Sequence, residues 1–227
     1  MRSGRGTTNI LVVLPDAIIV AGDSRVTAYS GEIRPEEKKI KFISNNPPTR
    51  ATWCQDRYDA HKMLTHIKRV AKASHSFDAI LDSAKKYTET TNCDRGFGSF
   101  LCSVEPTTGE LSAYLVFHNP VVEHETNCSE KEEECYCQNL ARFHGCRKLK
   151  LGVYTLGSGG QFAIDSLSEK YGFQYKGDDP SASWCSDGEK AQDLGIHDLE
   201  NARADVFSAL LAAAFDDPLS GVPFRGV

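Results

Sequence analysis

The chain has 227 residues, a formal net charge of −5 and an isoelectric point near 5.8. Hydrophobic residues make up 40% of it, which is enough for the core of one large domain. The acidic balance argues against nucleic acid or an anionic membrane as the main partner. The longest apolar runs are too short to span a bilayer, and the N-terminus lacks the apolar core of a secretory signal. We therefore expect a cytoplasmic and nuclear protein.

The first candidate element is an apolar run that follows two threonines, in the stretch RGTTNILVV. Threonine is common in strands, so residues 7–14 predict a first strand. A turn and the apolar run at 17–22 predict a second strand, and the pair forms a hairpin buried on both faces. Thr7 also permits another interpretation, in which the chain is cut after Gly6 and Thr7 becomes a new N-terminus.

Two further strands and two helices follow. Alternating polarity predicts a half-exposed strand at 39–44, and another strand is predicted at 49–54. Asp56 and Ser76 are suitable N-caps for the two helices. Each helix carries one apolar stripe at spacings of three and four residues. The stripes consist of Tyr58, Met63, Leu64, Ile67, Val70 and Ala71, and of Phe77, Ile80, Leu81, Ala84 and Tyr87.

The second half repeats the order of strands followed by two helices. Two polar, charged stretches, at about 119–149 and 172–197, have the character of long surface insertions. Strands grouped apart from helices indicate a single α+β domain in which helices cover sheets. The predicted elements are strands at 96–104, 110–118 and 150–156, and helices at 160–171 and 198–216.

Several polar residues near the ends of these elements have the chemistry of a nucleophilic site. A hydroxyl nucleophile needs a base, a group that lowers its pKa, and donors for an oxyanion. An N-terminal Thr7 would supply its own base, because an α-amine titrates near pH 7.7–8.0 in small peptides. A lysine kept cationic by an aspartate would favour the alkoxide. The candidates are Asp23, Ser24, Arg25, Lys38, Lys39, Gly157, Ser158, Gly159, Asp217 and Ser220.

Each candidate also has an ordinary structural interpretation. Lys39 could be a solvated strand end, and Asp217 could be a loop acid. The Gly-Ser-Gly tract at 157–159 could be a turn, or an anion site at a helix N-terminus. The residues taken singly leave these alternatives open.

The order of the motifs resembles that of the β-type subunits of the 20S proteasome. The bacterial HslV peptidase shares the fold of that family and has a similar GSGG tract, but DSRVT favours the proteasome branch. No single motif is specific, whereas five of them in this order and at these intervals are. They are GTT at 6–8, VAGDSRVT at 20–27, KKIKFI at 38–43, LGSGG at 156–160 and AAAFDDPLSG at 212–221.

The resemblance implies an N-terminal nucleophile hydrolase, an α+β fold built as a four-layer αββα sandwich. Autocatalytic cleavage after Gly6 would expose Thr7, which would then act as both nucleophile and base. Lys39 would lower the pKa of the Thr7 hydroxyl group, and Asp23 would orient and balance Lys39.

The resemblance also assigns supporting roles around this set. Ser158, Asp217 and Ser220 would surround the amine and the water that relays its proton. Arg25 and Thr27 would support the site, and the Thr27 backbone would hold the substrate as an added strand.

The implied activity is hydrolysis of peptide bonds in unfolded proteins through an acyl-enzyme ester, without a cofactor. The chain would work with other α- and β-type subunits in stacked heptameric rings. Residues 1–6 would be a short propeptide and residues 7–227 a single domain. The alternatives are a catalytically silent structural β subunit of the same ring, an HslV-like peptidase, or an unrelated α+β binding domain.

The chain departs from the family pattern in the predicted substrate groove. Gln55 falls where a family glycine supplies the oxyanion-hole amide, although a backbone amide survives a change of side chain. Trp53 falls where the family sets the depth of the pocket for the residue before the cut, and a large ring would make that pocket shallow. We therefore expect these two residues to shape substrate binding, with the cleavage preference left open.

The insertion at 119–149 concentrates half of the cysteines of the chain. Four thiolates can bind a structural zinc ion, but this spacing is not a standard zinc pattern. We therefore predict no metal and expect free or locally disulfide-bonded thiols. The four weak candidates for metal ligands are Cys128, Cys135, Cys137 and Cys146.

The end of the chain differs from the family as well. The sequence stops soon after Ser220, where the family continues into further strands that complete a sheet. We therefore expect one sheet edge to be open or lost.

Overall fold

A computed structural model describes residues 7–27, 33–34, 37–91, 93, 96–118, 144–171, 199–217 and 224–226. Within these residues the chain is a mixed α and β protein with two main antiparallel sheets, a two-stranded ribbon and four helices. The helices are α1 (Arg57–Ala73), α2 (Phe77–Thr90), α3 (Gly160–Tyr171) and α4 (Leu199–Asp216). The strands are β1 (Asn9–Val13), β2 (Ile18–Asp23), β3 (Val26–Thr27), β4 (Ile33–Arg34), β5 (Lys41–Asn45), β6 (Pro48–Ala51), β7 (Cys54–Gln55), β8 (Phe97–Val104), β9 (Leu111–His118), β10 (His144–Lys148), β11 (Gly152–Leu156) and β12 (Phe224–Gly226).

The first sheet has the order β11–β1–β2–β12, and all of its pairs are antiparallel. Asn9 in β1 lies opposite Gly22 on one side and opposite Leu156 on the other. The amide of Leu14 donates to the carbonyl of Ala17 at 2.8 Å and closes the β1–β2 turn. All five residues of β1 are buried, so the predicted hairpin of two apolar strands is confirmed.

The second sheet has the order β10–β9–β8–β6–β5, and β7 also pairs with β8. The strand predicted at 49–54 is therefore interrupted, with Thr52 and Trp53 between β6 and β7. The amide of Thr52 donates to the carbonyl of Phe100 at 2.9 Å, and the Phe100 amide donates to Thr52 Oγ1 at 3.0 Å. These two bonds keep the interrupted segment attached to β8 without a continuous ladder.

The core consists of three clusters of buried side chains. One joins β1, β2 and β11 to α3 and α4, and a second joins the second sheet to α1 and α2. The third contains residues of both sheets, among them Leu11 and Phe100. Ile10 and Val12 belong to the first cluster and Leu11 to the third, because successive side chains of a strand point to opposite faces. The uninterrupted apolar run of β1 follows from this burial on both faces.

Both predicted N-caps are confirmed. The Asp56 side chain accepts hydrogen bonds from the amides of Tyr58 and Asp59, and the Ser76 side chain accepts one from the amide of Ala79. These bonds satisfy amides that have no partner within their helix. The inclusion of Tyr58 in the apolar stripe of α1 was wrong, because Tyr58 stands in the first turn with 64% of its surface exposed.

One predicted segment boundary was also wrong, and one strand was missed. The last residues of the predicted insertion at 119–149 form β10, which pairs with β9. A further strand, β12, was not predicted; it pairs with β2 and forms one edge of the first sheet. Both strands are short, and backbone pairing rather than an alternating pattern defines them. The rest of the two predicted insertions, at 119–143 and 172–197, lies outside the described residues.

Candidate active site

Thr7 lies two residues before the start of β1, and only 2% of its surface is exposed. The amide of Asp23, at the end of β2, donates to the carbonyl of Thr8 at 2.9 Å. The amide of Gly159, in the turn between β11 and α3, donates to the carbonyl of Thr7 at 3.4 Å. The predicted nucleophile is therefore held between the end of β2 and the β11–α3 turn.

Gly157 allows the β11–α3 turn to come this close to Thr7. Its φ of +97° lies in the left-handed region, and a Cβ atom there would stand 1.9 Å from the carbonyl oxygen of Thr7. Only glycine has both this conformational freedom and the space. The tract at 157–159 had two structural interpretations, a turn or an anion site at a helix N-terminus. The conformation of Gly157 supports the turn.

Lys39 makes a direct contact with the Thr7 hydroxyl group. Its ammonium group donates to Thr7 Oγ1 at 2.5 Å, and Lys39 itself is only 2% exposed. Burial lowers the pKa of Lys39 to about 8, and the negative charge of the buried Asp23 opposes this by raising it. The interpretation of Lys39 as a solvated strand end was wrong, since the side chain turns inward from the segment that precedes β5.

Ser158 and Asp217 form a short chain of hydrogen bonds beside the Thr7 nitrogen. The Thr7 amide donates to Ser158 Oγ at 3.4 Å, and the Ser158 hydroxyl donates to Asp217 Oδ2 at 2.7 Å. Asp217 is buried at the end of α4, where its amide donates to the carbonyl of Ala213 at 2.9 Å. The end of α4 thus brings a carboxylate to the β11–α3 turn.

Trp53 packs beside Lys39 inside the protein. The centre of its ring lies 4.3 Å from Lys39 Nζ, and 1% of the residue is exposed. Gln55 is half-buried, with a φ of +64°. This conformation costs a residue with a Cβ atom about 1 kcal/mol and favours glycine.

The remaining predicted residues are placed less completely. Arg25 is half-buried and lies two residues beyond Asp23. Thr27 belongs to β3, where its backbone pairs with Ile33 of β4. Gly6 and Ser220 lie outside the described residues.

The cysteine-rich insertion falls almost entirely outside the described residues. Of its four cysteines the structure describes Cys146, in β10, whose pKa is raised to about 11 by burial. A raised pKa disfavours the thiolate that a metal requires. In the described part of the chain, no three or more His, Cys, Asp or Glu residues are grouped so that they could hold a metal ion.

Two residues near the site were not predicted. Asn9 is fully buried, and its side-chain amide donates to the carbonyl of Trp53 at 2.9 Å. The His61 ring meets the ring of Trp53 edge-on, with centroids 5.2 Å apart. Asparagine in an otherwise apolar strand was a usable signal, because a buried polar side chain normally has a specific partner. For His61 the sequence carried no such signal.

This arrangement can activate a hydroxyl group. A buried threonine oxygen lies within hydrogen-bond distance of an amine whose pKa burial lowers to about 8, and a serine–aspartate pair stands beside the threonine nitrogen. Among the helices that the structure describes, none has the length and apolar character of a membrane span. The sequence matches no protein-family model, and a search of curated proteins finds no significant match.

Proposed function

We propose that the chain is a threonine endopeptidase subunit of the N-terminal nucleophile hydrolase type, with Thr7 as nucleophile. The observation that carries this proposal is the 2.5 Å hydrogen bond from Lys39 to Thr7 Oγ1 in a buried site. A lysine with a pKa of about 8 can take up the hydroxyl proton when neutral and stabilise the alkoxide when charged. For the fold we propose the four-layer αββα sandwich, supported by the division of the core into three clusters.

Lys39 is the base that suits the first step, the cleavage that exposes Thr7. In the intact chain the Thr7 nitrogen is an amide and cannot accept a proton. With a pKa of about 8, roughly a tenth of the molecules carry a neutral Lys39 at pH 7. Neutral Lys39 takes the proton of Thr7 Oγ1, and the oxygen attacks the carbonyl carbon of Gly6. The Gly6–Thr7 C–N bond breaks, the proton passes to the nitrogen, and water hydrolyses the resulting ester.

The freed α-amine of Thr7 then serves as the base for peptide hydrolysis. It takes the hydroxyl proton, and Oγ1 attacks the carbonyl carbon of the substrate. The peptide C–N bond breaks as the leaving nitrogen takes that proton, and water hydrolyses the acyl ester. Ser158 and Asp217 would hold the amine through the hydrogen bonds that they make near it, and charged Lys39 would stabilise the alkoxide.

The partners belong to the same proposal and are supported by the order of motifs alone. They are other α- and β-type subunits of a proteasome-like ring, with unfolded polypeptide as substrate, in the cytoplasm and nucleus. The second candidate is a catalytically silent structural β subunit. It is favoured by the large side chains after Gln55, since Arg57 and Tyr58 are exposed beside the predicted groove.

The test is the N-terminus of the protein purified with its co-purifying subunits. We expect intact mass to show a chain that begins at Thr7, and a peptide epoxyketone to label Thr7. Thr7→Ala should abolish both cleavage and labelling, because it removes the nucleophile. Thr8→Ala is the matched control, since the neighbouring Thr8 is equally buried but contributes its backbone carbonyl to the bond with Asp23. Cleavage or labelling that survives Thr7→Ala would refute the proposal, and a wild-type chain that shows neither would favour the silent subunit.

A further inference from the structure

The indole ring of Trp53 contacts the Lys39 ammonium group, the same group that donates to Thr7 Oγ1. Both residues are buried, and Nζ lies 4.3 Å from the centre of the ring. A cation within about 6 Å of an indole face is attracted by the ring quadrupole, more strongly where water is excluded. We propose that Trp53 is a positioning residue whose ring holds the Lys39 ammonium group against Thr7 Oγ1. Its catalytic consequence rests on the proposed function.

Trp53 is itself hydrogen-bonded to both segments that carry the reacting residues, through its ring in one case and its backbone in the other. Its Nε1–H group donates to the carbonyl of Lys38 at 3.0 Å, next to Lys39 in the chain. The Asn9 side chain donates to the carbonyl of Trp53 at 2.9 Å, two residues beyond Thr7. Trp53 therefore links the Lys39 segment, through its ring, to the Thr7 strand, through its backbone carbonyl.

A second ring contact joins Trp53 to helix α1. His61 of α1 meets the Trp53 ring edge-on, at an interplanar angle of 78°. Burial lowers the pKa of His61, so the neutral imidazole is favoured there. His61 Nε2 lies 3.8 Å from Glu37, which also receives Arg57 at 3.2 Å and Lys41 at 3.4 Å. Helix α1 and the segment before β5 are thereby linked through Glu37.

The ring acts on Lys39 together with several charged or titratable groups. Burial opposes the ammonium form, the charges of Asp23 and Glu37 favour it, and that of Lys41 opposes it. Cys54 favours it only as a thiolate, and burial raises the pKa of that thiol to about 12. Trp53 differs from all of these because it does not titrate. The attraction of the Trp53 ring for the ammonium group is therefore the same at every pH. A weaker attraction can shift the proton equilibrium of Lys39 only toward the neutral amine.

Fluorinated tryptophan tests this contact without changing the shape of the side chain. The sequence has two tryptophans, so Trp184→Phe leaves Trp53 as the single site of incorporation. Replacement of Trp53 by monofluoro- and then trifluorotryptophan withdraws electron density from the ring face and keeps the N–H donor. The pKa of Lys39 is measured from the pH dependence of the NMR chemical shift of its Cε carbon in protein isotopically labelled at lysine, with the resonance assigned by its loss in Lys39→Met. We expect it to fall stepwise, by about half a unit to one unit in all.

Labelling of Thr7 by the epoxyketone is measured on the same samples. We expect the alkaline limb of its pH profile to move down by the same amount, because charged Lys39 stabilises the alkoxide. The control carries Trp53→Phe with Trp184 retained, so that fluorine enters only at position 184. In this control the pKa of Lys39 should not respond to fluorination.

Each outcome decides one of the two proposals. A Lys39 pKa that is the same with every tryptophan analogue would overturn the role of Trp53. A pH profile of Thr7 labelling that does not shift together with the Lys39 pKa would overturn it as well. An absence of Thr7 labelling in the wild-type chain would refute the peptidase. The NMR titration series would still show whether the indole ring holds the Lys39 ammonium group.

Discussion

The burial of Lys39 should measurably change the pH dependence of the free energy of unfolding, whatever the function of the chain. The pKa of Lys39 is lowered from 10.5 to about 8 in the folded protein. At about 1.4 kcal/mol per unit, this makes the buried ammonium group cost about 3 kcal/mol below pH 8. The unfolded chain binds more protons than the folded chain between these two values. The contribution of Lys39 to stability therefore rises as the pH rises from about 8 to 10.5.

Lys39→Met removes this titration and keeps most of the volume of the side chain. The quantity to follow is the free energy of unfolding of the wild type minus that of the variant, from urea denaturation at several pH values. We expect this difference to increase by about 1 kcal/mol between pH 7.5 and pH 9. The buried thiols of Cys54 and Cys102, whose pKa values are raised to about 12, are present in both proteins and largely cancel in the difference.

Lys38→Met is the matched control, because it removes one charge at the exposed neighbouring lysine. A difference that stays flat for Lys39→Met, or falls with rising pH, would refute the inference that Lys39 is a buried amine with a lowered pKa. It would also remove the base that we propose for the cleavage after Gly6.

Two further predictions concern the turn that holds Thr7. Gly157→Ala should destabilise the fold by at least about 2 kcal/mol, since a Cβ atom would meet the Thr7 carbonyl. Gly109→Ala, also at positive φ but in open space, should cost only about 1 kcal/mol by the same denaturation assay. Equal costs for the two variants would contradict the argument. Ser158→Ala should slow epoxyketone labelling of Thr7 by roughly 10- to 100-fold, because it removes the hydrogen-bonded link to Asp217. The control Ser168→Ala should be labelled at the wild-type rate. An unchanged rate in Ser158→Ala would exclude a role of the Ser158–Asp217 pair in the reaction.

Local elements of this protein were largely predictable from the sequence. The hairpin of β1 and β2 followed from two apolar runs, and the starts of α1 and α2 followed from Asp56 and Ser76. In each case the information is local, because a strand buried on both faces needs apolar residues throughout and a helix start needs an acceptor for its first amides. The short strands β10 and β12 were missed, because backbone pairing with a distant strand creates them and they carry no pattern of their own.

The residues of the candidate site were nameable from the sequence, but their contacts were not. Lys39 and Thr7 are separated by 32 positions, and Ser158 and Asp217 by 59. Periodicity tells which face of an element is buried, but not which side chain of another element it meets there. The ring of Trp53 beside Lys39 and the lowered pKa of Lys39 were decided by the tertiary structure alone. Both depend on how far water is excluded around one ammonium group, and only the packing of the complete core determines that.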